Sequence, residues 1–323
     1  MKPVAARWIP YALLLQQPWE SAAGRISERR GRLLRLDTDD GHCGWGDCAP
    51  LPEAGIDKTA ATRCAEECAR LDLAAQAAGQ PLAAWLAGVA TPASIPVNAA
   101  LGALATLTNE MALAACAAGF TTLKAKVGIA PQITEIARLN ALAKTLPAGT
   151  RLRLDANGAW DETTAASFVA ACRDLPVEAI EEPLHAPTLA ALARLQAGTG
   201  IALALDESLP RFAVADLSQQ QAVRRLVLKP ARHGGLQASL ALAREARGAG
   251  LECVVTSALE SACGLLAAAH LAAAIAAGAP QTPAHGLATA AWFAADTGLP
   301  PEIRGGRLIL PVGPGLGFAP GLS

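Results

Sequence analysis

Asp155, Glu181 and Asp206 recur at nearly equal spacing along this 323-residue chain, each closing a short apolar run: Leu152–Asp155, Val177–Glu181 and Ile201–Asp206. Two lysine-bearing segments frame them, Lys124-Ala125-Lys126 before and Lys229-Pro230 after. A single carboxylate in such a place is ordinarily a solvated loop residue. Three brought to one spot repel each other unless a cation neutralises them, and three oxygen ligands with open positions suit Mg²⁺. Alternation along a strand puts Lys124 and Lys126 on one face. A lysine that serves as a base needs a lowered pKa, and a second lysine or a bound cation nearby pushes in that direction. A lysine at a strand end can equally hold a phosphate or a substrate, or close a salt bridge.

The elements that must carry these groups are legible from Pro92 onward. Apolar runs occur at Ile95–Leu101, Thr122–Val127, the three carboxylate runs, Leu226–Lys229, Cys253–Thr256 and around His285–Leu287, with Ala/Leu-rich helical segments between most of them. Strands alternating with helices imply a parallel sheet, and eight of them imply a closed (β/α) barrel, where catalytic groups sit at the C-terminal strand ends. The second and sixth strands of an eight-strand ring lie opposite each other, so Lys126 and Lys229 should face one another across the carboxylates. Before Pro92 the chain reads as antiparallel strands, Arg32–Leu36 and His42–Gly46 about a turn at Thr38–Gly41. A long helical region follows, Ala60 to Ala87. Arg307–Pro311 reads as a last strand returning to the N-terminal part.

Taken together, Lys124-x-Lys126, Asp155-x-Asn157, Glu181-Glu182-Pro183, Asp206-Glu207-Ser208 and Lys229-Pro230 resemble the enolase superfamily in its muconate-lactonising-enzyme-like branch. Gly44-Trp45-Gly46-Asp47-Cys48-Ala49-Pro50-Leu51-Pro52 resembles that family's capping domain. Finer segments are similar to the o-succinylbenzoate synthase family: Ser27-Glu28-Arg29-Arg30-Gly31, Leu205–Leu209, Leu228–Ala231 with Gly234-Gly235, and Thr256–Ser261. The resemblance implies a (β/α)7β modified TIM barrel, residues 93–304, with an α+β capping domain at 1–92 completed by residues 305–323.

It further implies Mg²⁺-dependent syn-dehydration of 2-succinyl-6-hydroxy-2,4-cyclohexadiene-1-carboxylate to 2-succinylbenzoate, in menaquinone biosynthesis, through an ene-diolate. Lys126 and Lys229 would be catalytic. Asp155, Glu181 and Asp206 would hold Mg²⁺, for which Mn²⁺ could substitute. Lys124, Asn157, Glu207, Ser257 and Ser261 would support or bind substrate, although both serines also suit plain loop capping. Gln16–Arg25 would be a mobile lid loop. The alternative within the superfamily is racemisation of N-succinylamino acids or epimerisation of dipeptides. Dipeptide epimerases usually carry Asp-x-Asp near strand eight, where this chain reads His285-Gly286-Leu287-Ala288-Thr289 with Asp296 alone further on. His185, His233 and His285 are expected at the rim.

Composition restricts the partners. Lys and Arg total 27 against 28 Asp and Glu, a net charge of −1 with no basic stripe, which speaks against a nucleic-acid partner; the small carboxylate substrate is what the resemblance implies. Apolar residues reach 52%, but aromatics only 4%. The stretch Ser261–Ala295 is uncharged; its most span-like window, Ser261–Gly278, is mostly Ala and carries His270, so it is expected as a buried helix and no membrane association is foreseen. Eight cysteines show no paired zinc spacing. With Ile9–Leu15 a poor export signal, they are expected as reduced thiols in the cytoplasm.

Overall fold

The computed structural model describes residues 3–22, 24–279 and 282–321. Three antiparallel strands come first: β1 (Pro3–Ser21), β2 (Gly24–Thr38) and β3 (Cys43–Cys48). Helices α1 (Lys58–Ala77) and α2 (Leu82–Ala87) follow. The chain then alternates through β4 (Ser94–Ala103), α3 (Asn109–Ala117), β5 (Thr122–Lys126), α4 (Gln132–Ala143), β6 (Arg151–Asp155), α5 (Glu162–Ala171), β7 (Val177–Glu181) and α6 (Leu189–Ala197). It continues through β8 (Ala202–Leu205), α7 (Val214–Gln219), β9 (Arg225–Leu228), α8 (Leu236–Gly248), β10 (Glu252–Val255), α9 (Ala262–Ala276) and β11 (His285–Ala288). Two short strands end it, β12 (Ile303–Arg304) and β13 (Arg307–Ile309).

Strands β4 to β10 pair in sequence order, β11 pairs in parallel with β4, and a Thr256–Gly286 bridge joins the last two strands, so the ring closes. This is the expected α/β barrel with a cap. Most of its strands are buried over nearly their whole length, as in Ala202–Leu205 and Arg225–Leu228, because helices cover one face and packed side chains the other. The helices are built on Ala and Leu, the strongest helix formers. Several start on side-chain caps: Asp57 accepts from Ala60 N at 2.7 Å and Asp161 from Thr164 N at 2.7 Å.

Four features depart from the expectations. The helical region Ala60–Ala87 is two helices, because Gly79 turns left-handed (φ 65°) and Pro81 starts the second. Gln16–Arg25 is not a loop: it forms the ends of a long β1–β2 hairpin, with Trp19 opposite Ile26 and Glu20 opposite Arg25. Ala23 of that segment lies outside the described residues. Pro10 and Pro18 disguise β1 in the sequence, and an edge strand is where a sheet tolerates them. Third, β13 pairs antiparallel with barrel strand β4, and only the residues beyond it reach the cap, where Phe318 meets Trp45 edge-on at 5.4 Å. Finally, His285 is not at the rim. It begins its strand at 0% exposure, and its Nδ1 accepts from Val255 N.

The Ser261–Gly278 window holds α9, whose side chains are nearly all buried between barrel and cap. At 15 residues it is about 22 Å long, short of the ~30 Å a bilayer core requires. No helix among the described residues is long and apolar enough to cross a membrane. His270 ties it to both neighbours: Nδ1 accepts from Ala83 N of α2, and Nε2 bonds the Leu316 carbonyl, each at 3.0 Å.

Gly44 and Gly46 explain the Gly-Trp-Gly segment. Strand β3 lies so close to α1 that a Cβ on Gly46 would stand 1.9 Å from the Ala65 carbonyl oxygen, and one on Gly44 2.2 Å from that of Ala69. The obstacle is helix backbone, which cannot step aside. Gly46→Ala is therefore expected to destabilise the protein by about 2–3 kcal/mol or more, read as a lowered urea midpoint at unchanged slope. A midpoint within error of the parent would refute the close approach.

Candidate active site

Asp155 and Glu181 are the last residues of β6 and β7 and sit side by side in register; Asp206 directly follows β8. All three are at most 1% exposed. Asp155 lines a cavity of 790 Å³, a size that suits a small organic ligand, whereas Glu181 and Asp206 are not part of its wall and meet it through their partners Lys124 and Lys229. Lys124 and Lys126 of β5 and Lys229 after β9 line it, with Asn157, Glu207 and Ser257. β5 and β9 are four strands apart in the ring, so the two outer lysines enter from opposite sides.

Ion pairs bind the base of the cavity together. Lys124 Nζ lies 2.6 Å from Glu181 Oε2 and 2.8 Å from Asp155 Oδ2. Lys126 Nζ lies 2.6 Å from the same Asp155 oxygen and donates to Asn157 Oδ1 at 2.8 Å. Asn157 in turn donates to Glu207 Oε1 at 3.0 Å, and its backbone N–H bonds Asp155 Oδ1. Asp206 pairs with Lys229 on one oxygen and Arg232 on the other.

Because of these pairs, the expected three-carboxylate cluster is not drawn together. Among the described residues no group of three or more His, Cys, Asp and Glu side chains stands at metal-ligand spacing. The basic groups take up the carboxylate oxygens in its place. The donor set nevertheless fits a hard divalent cation. Glu181 Oε1 is buried with no hydrogen-bond partner, a state that costs about 1–3 kcal/mol and that a cation relieves. Burial, reinforced by Asp155, pushes the Glu181 carboxyl up to about 8. Burial acts the same way on Asp155, but Lys124 and Lys126 hold it below the usual carboxylate range; Asp206 is held low by Arg232 and Lys229. Burial opposes the charge on Lys124, yet Asp155 and Glu181 outweigh it and raise its pKa. Lys124 is thus engaged with two carboxylates, rather than standing as a bare like charge beside Lys126.

The two serines part company. Ser257 lines the cavity, its hydroxyl donating to Glu260 Oε2 at 2.6 Å. Ser261 is fully buried at the start of α9, where its N–H and hydroxyl both bond Asp47. It does not line the cavity: its hydroxyl donates to Asp47 of β3 and makes no cap to the helix.

Other residues at the site escaped the sequence reading. Arg232 holds Asp206 and also donates to the Ala54 carbonyl of the cap; its place one turn beyond Lys229 was the available signal. Glu182 adopts φ 44° and accepts from the backbone N–H groups of Asp206 and Ser208, fixing that turn. Burial pushes its carboxyl up to about 7. Trp19 of the hairpin lines the cavity, with the Lys126 ammonium 5.7 Å from its ring centre, and packs edge-on against Trp292 at 4.6 Å. The end of β11 offers the cavity Gly286 and Thr289, with no carboxylate; Asp296 instead bonds Ala262 N at the start of α9.

Residues 106–321 match the family model described as enolase C-terminal domain-like. An o-succinylbenzoate synthase of Thermobifida fusca (strain YX) is 34% identical over 275 residues, spanning 84% of this chain and 78% of that protein. The structure of a substrate-liganded L-Ala-D/L-Glu epimerase from Bacillus subtilis superposes with a TM-score of 0.88 at 25% identity, covering 100% of both chains. The N-succinyl Arg/Lys racemase of Bacillus cereus ATCC 14579 gives a TM-score of 0.89 at 21% identity over 99% of this chain and 96% of that one.

Proposed function

The chain belongs to the enolase C-terminal domain-like family of the enolase superfamily, and from that premise we propose that it is an o-succinylbenzoate synthase, dehydrating 2-succinyl-6-hydroxy-2,4-cyclohexadiene-1-carboxylate to 2-succinylbenzoate. What carries this reading is the 34% identity, over 84% of the chain, to an o-succinylbenzoate synthase; the pair Lys126 and Lys229, set on opposite sides of one cavity, supplies the groups that the reaction needs. The absence of an acid at the end of β11 speaks against a dipeptide, whose ammonium group would require one there.

Asp155, Glu181 and Asp206 would hold Mg²⁺, which supplies positive charge to stabilise the ene-diolate left when the proton departs. Lys126 removes the proton next to the ring carboxylate, and the C–H electron pair passes towards that carboxylate. It then returns the proton to the departing hydroxyl on the same face, so water leaves and the ring becomes aromatic. Asn157, accepting from Lys126 and donating to Glu207, orients the base. Lys229 stays cationic on the far face, beside the planar ring. The hairpin bearing Trp19 closes the cavity above. We take residues 1–92 with the segment after β13 as the cap, and the barrel as the catalytic domain.

The direct test offers the purified protein, with Mg²⁺, the cyclohexadiene and N-succinylamino acids side by side. Formation of 2-succinylbenzoate as the faster reaction is expected. Ready racemisation with the cyclohexadiene left untouched would replace this reading by N-succinylamino acid racemisation, for which the same two lysines suffice.

A further inference from the structure

Arg29 of β2 lines the cavity and is 4% exposed, yet its guanidinium serves the walls. Nε donates to the Leu259 carbonyl at 3.1 Å, Nη1 to that of Pro50 at 2.9 Å and Nη2 to that of Ala49 at 3.0 Å. One planar fork thus spans three segments: the lid hairpin, the cap loop after β3, and the barrel loop between β10 and α9. Pro50, Leu259, Ala258 and Ser257 from those segments are themselves cavity wall.

The barrel loop needs holding. Leu259 sits at φ 60°, a left-handed conformation that costs a branched residue on the order of 1 kcal/mol or more and persists only where surroundings enforce it. Glu260 folds back on the loop, accepting from Ser257 Oγ and from Ala258 N at 2.7 Å. Its far end is held by Asp47, which accepts from Ser261 N and Oγ and from Tyr11 Oη at 2.7 Å. Tyr11 can reach Asp47 because the facing residue is Gly31, where a Cβ would lie 2.3 Å from the tyrosine hydroxyl. Arg29 and Gly31 of one segment and Asp47, Ala49 and Pro50 of the other therefore meet in one network that the proton-transfer chemistry leaves unexplained.

We propose that Arg29 is a positioning residue that binds the hairpin, the Ala49-Pro50 loop and the Ser257–Ser261 loop into one rigid roof, and so sets how well the cavity fits the distal part of its ligand. The inference rests on the functional reading only in taking this cavity as the substrate site. Since Arg29 bonds the wall carbonyls of Leu259, Pro50 and Ala49 rather than Lys126 or Lys229, its loss is expected in substrate fit more than in proton transfer.

The test compares Arg29→Met, Arg29→Lys and the milder Arg29→Gln with the parent, on whichever substrate the parent turns over. Loss of the fork should raise KM about tenfold or more while kcat stays within about threefold. Lys should not rescue, because an ammonium cannot address three carbonyls in one plane. Independently of any substrate, amide hydrogen exchange in Met or Gln variants should quicken at residues 257–261, leaving β6 to β8 protected. Rescue by Lys, an equal fall in kcat with KM unchanged, or unaltered exchange at 257–261 in a folded variant would each overturn the proposal. If the cyclohexadiene assay fails, the functional reading falls and the exchange result still decides the role of Arg29. Should Arg29→Met not fold, the Gln variant carries the same readouts.

Discussion

Replacing Lys126 by Ala is expected to lower kcat by about 10²–10⁴ or more, since the group that must take and return the proton is lost. The fold should survive, because Lys124 still pairs with Asp155 and Glu181. Lys229 gives the sharper comparison. Its ammonium is buried beside Asp206, on the side of the cavity opposite Lys126. In a one-face dehydration it acts as charge alone; in racemisation it must give or take a proton. Lys229→Arg keeps the cation but cannot act as a base. The Arg variant should retain measurable dehydration, reduced by its poorer fit, and should lose racemisation of both enantiomers. Measuring 2-succinylbenzoate release and α-proton exchange in the same preparation separates the two roles. Dehydration lost as completely in Lys229→Arg as in Lys229→Ala would show that charge alone is not what Lys229 provides.

Exhaustive chelation is expected to abolish turnover, and Mg²⁺ to restore it, without unfolding the barrel. The reason lies in the ion pairs. Asp155, Glu181 and Asp206 each already face Lys124, Lys126, Lys229 or Arg232, so the metal-free site is not three bare carboxylates. Glu181→Gln discriminates further. It replaces a carboxyl that burial already pushes up to about 8 and that leaves one oxygen unpartnered, while Lys124 keeps Asp155 as a partner, so near neutral pH the metal-free variant should melt no lower than the parent. Its Mg²⁺ affinity should fall by about 100-fold or more, since even outer partners of metal ligands are worth about 10–100-fold. Calorimetric titration with Mg²⁺ and a melting curve in chelator read both quantities. Full activity after chelation, or undiminished affinity in the Gln variant, would refute the assignment of these carboxylates to a cation.

Strand-end chemistry was legible in the one-dimensional pattern because a barrel repeats. Each βα unit returns the chain to the same rim, so Asp155, Glu181 and Asp206 appear at equal spacing, and the lysines one repeat before and one after. The strands themselves were readable as apolar runs, since burial on both faces leaves no other pattern for them. Contacts between distant segments carry no such period. That Ser261 turns from the cavity to Asp47 was decided only when the cap docked on the barrel, and that Arg232 shares Asp206 with Lys229 and that β13 joins β4 only when distant segments of the barrel itself met. The same holds for β1, whose prolines mask a strand that its place at a sheet edge makes acceptable. Local spacing determined which residues reach the rim; long-range packing decided which of them face the ligand and which hold the walls, because a side chain's direction at a loop depends on partners far away in sequence.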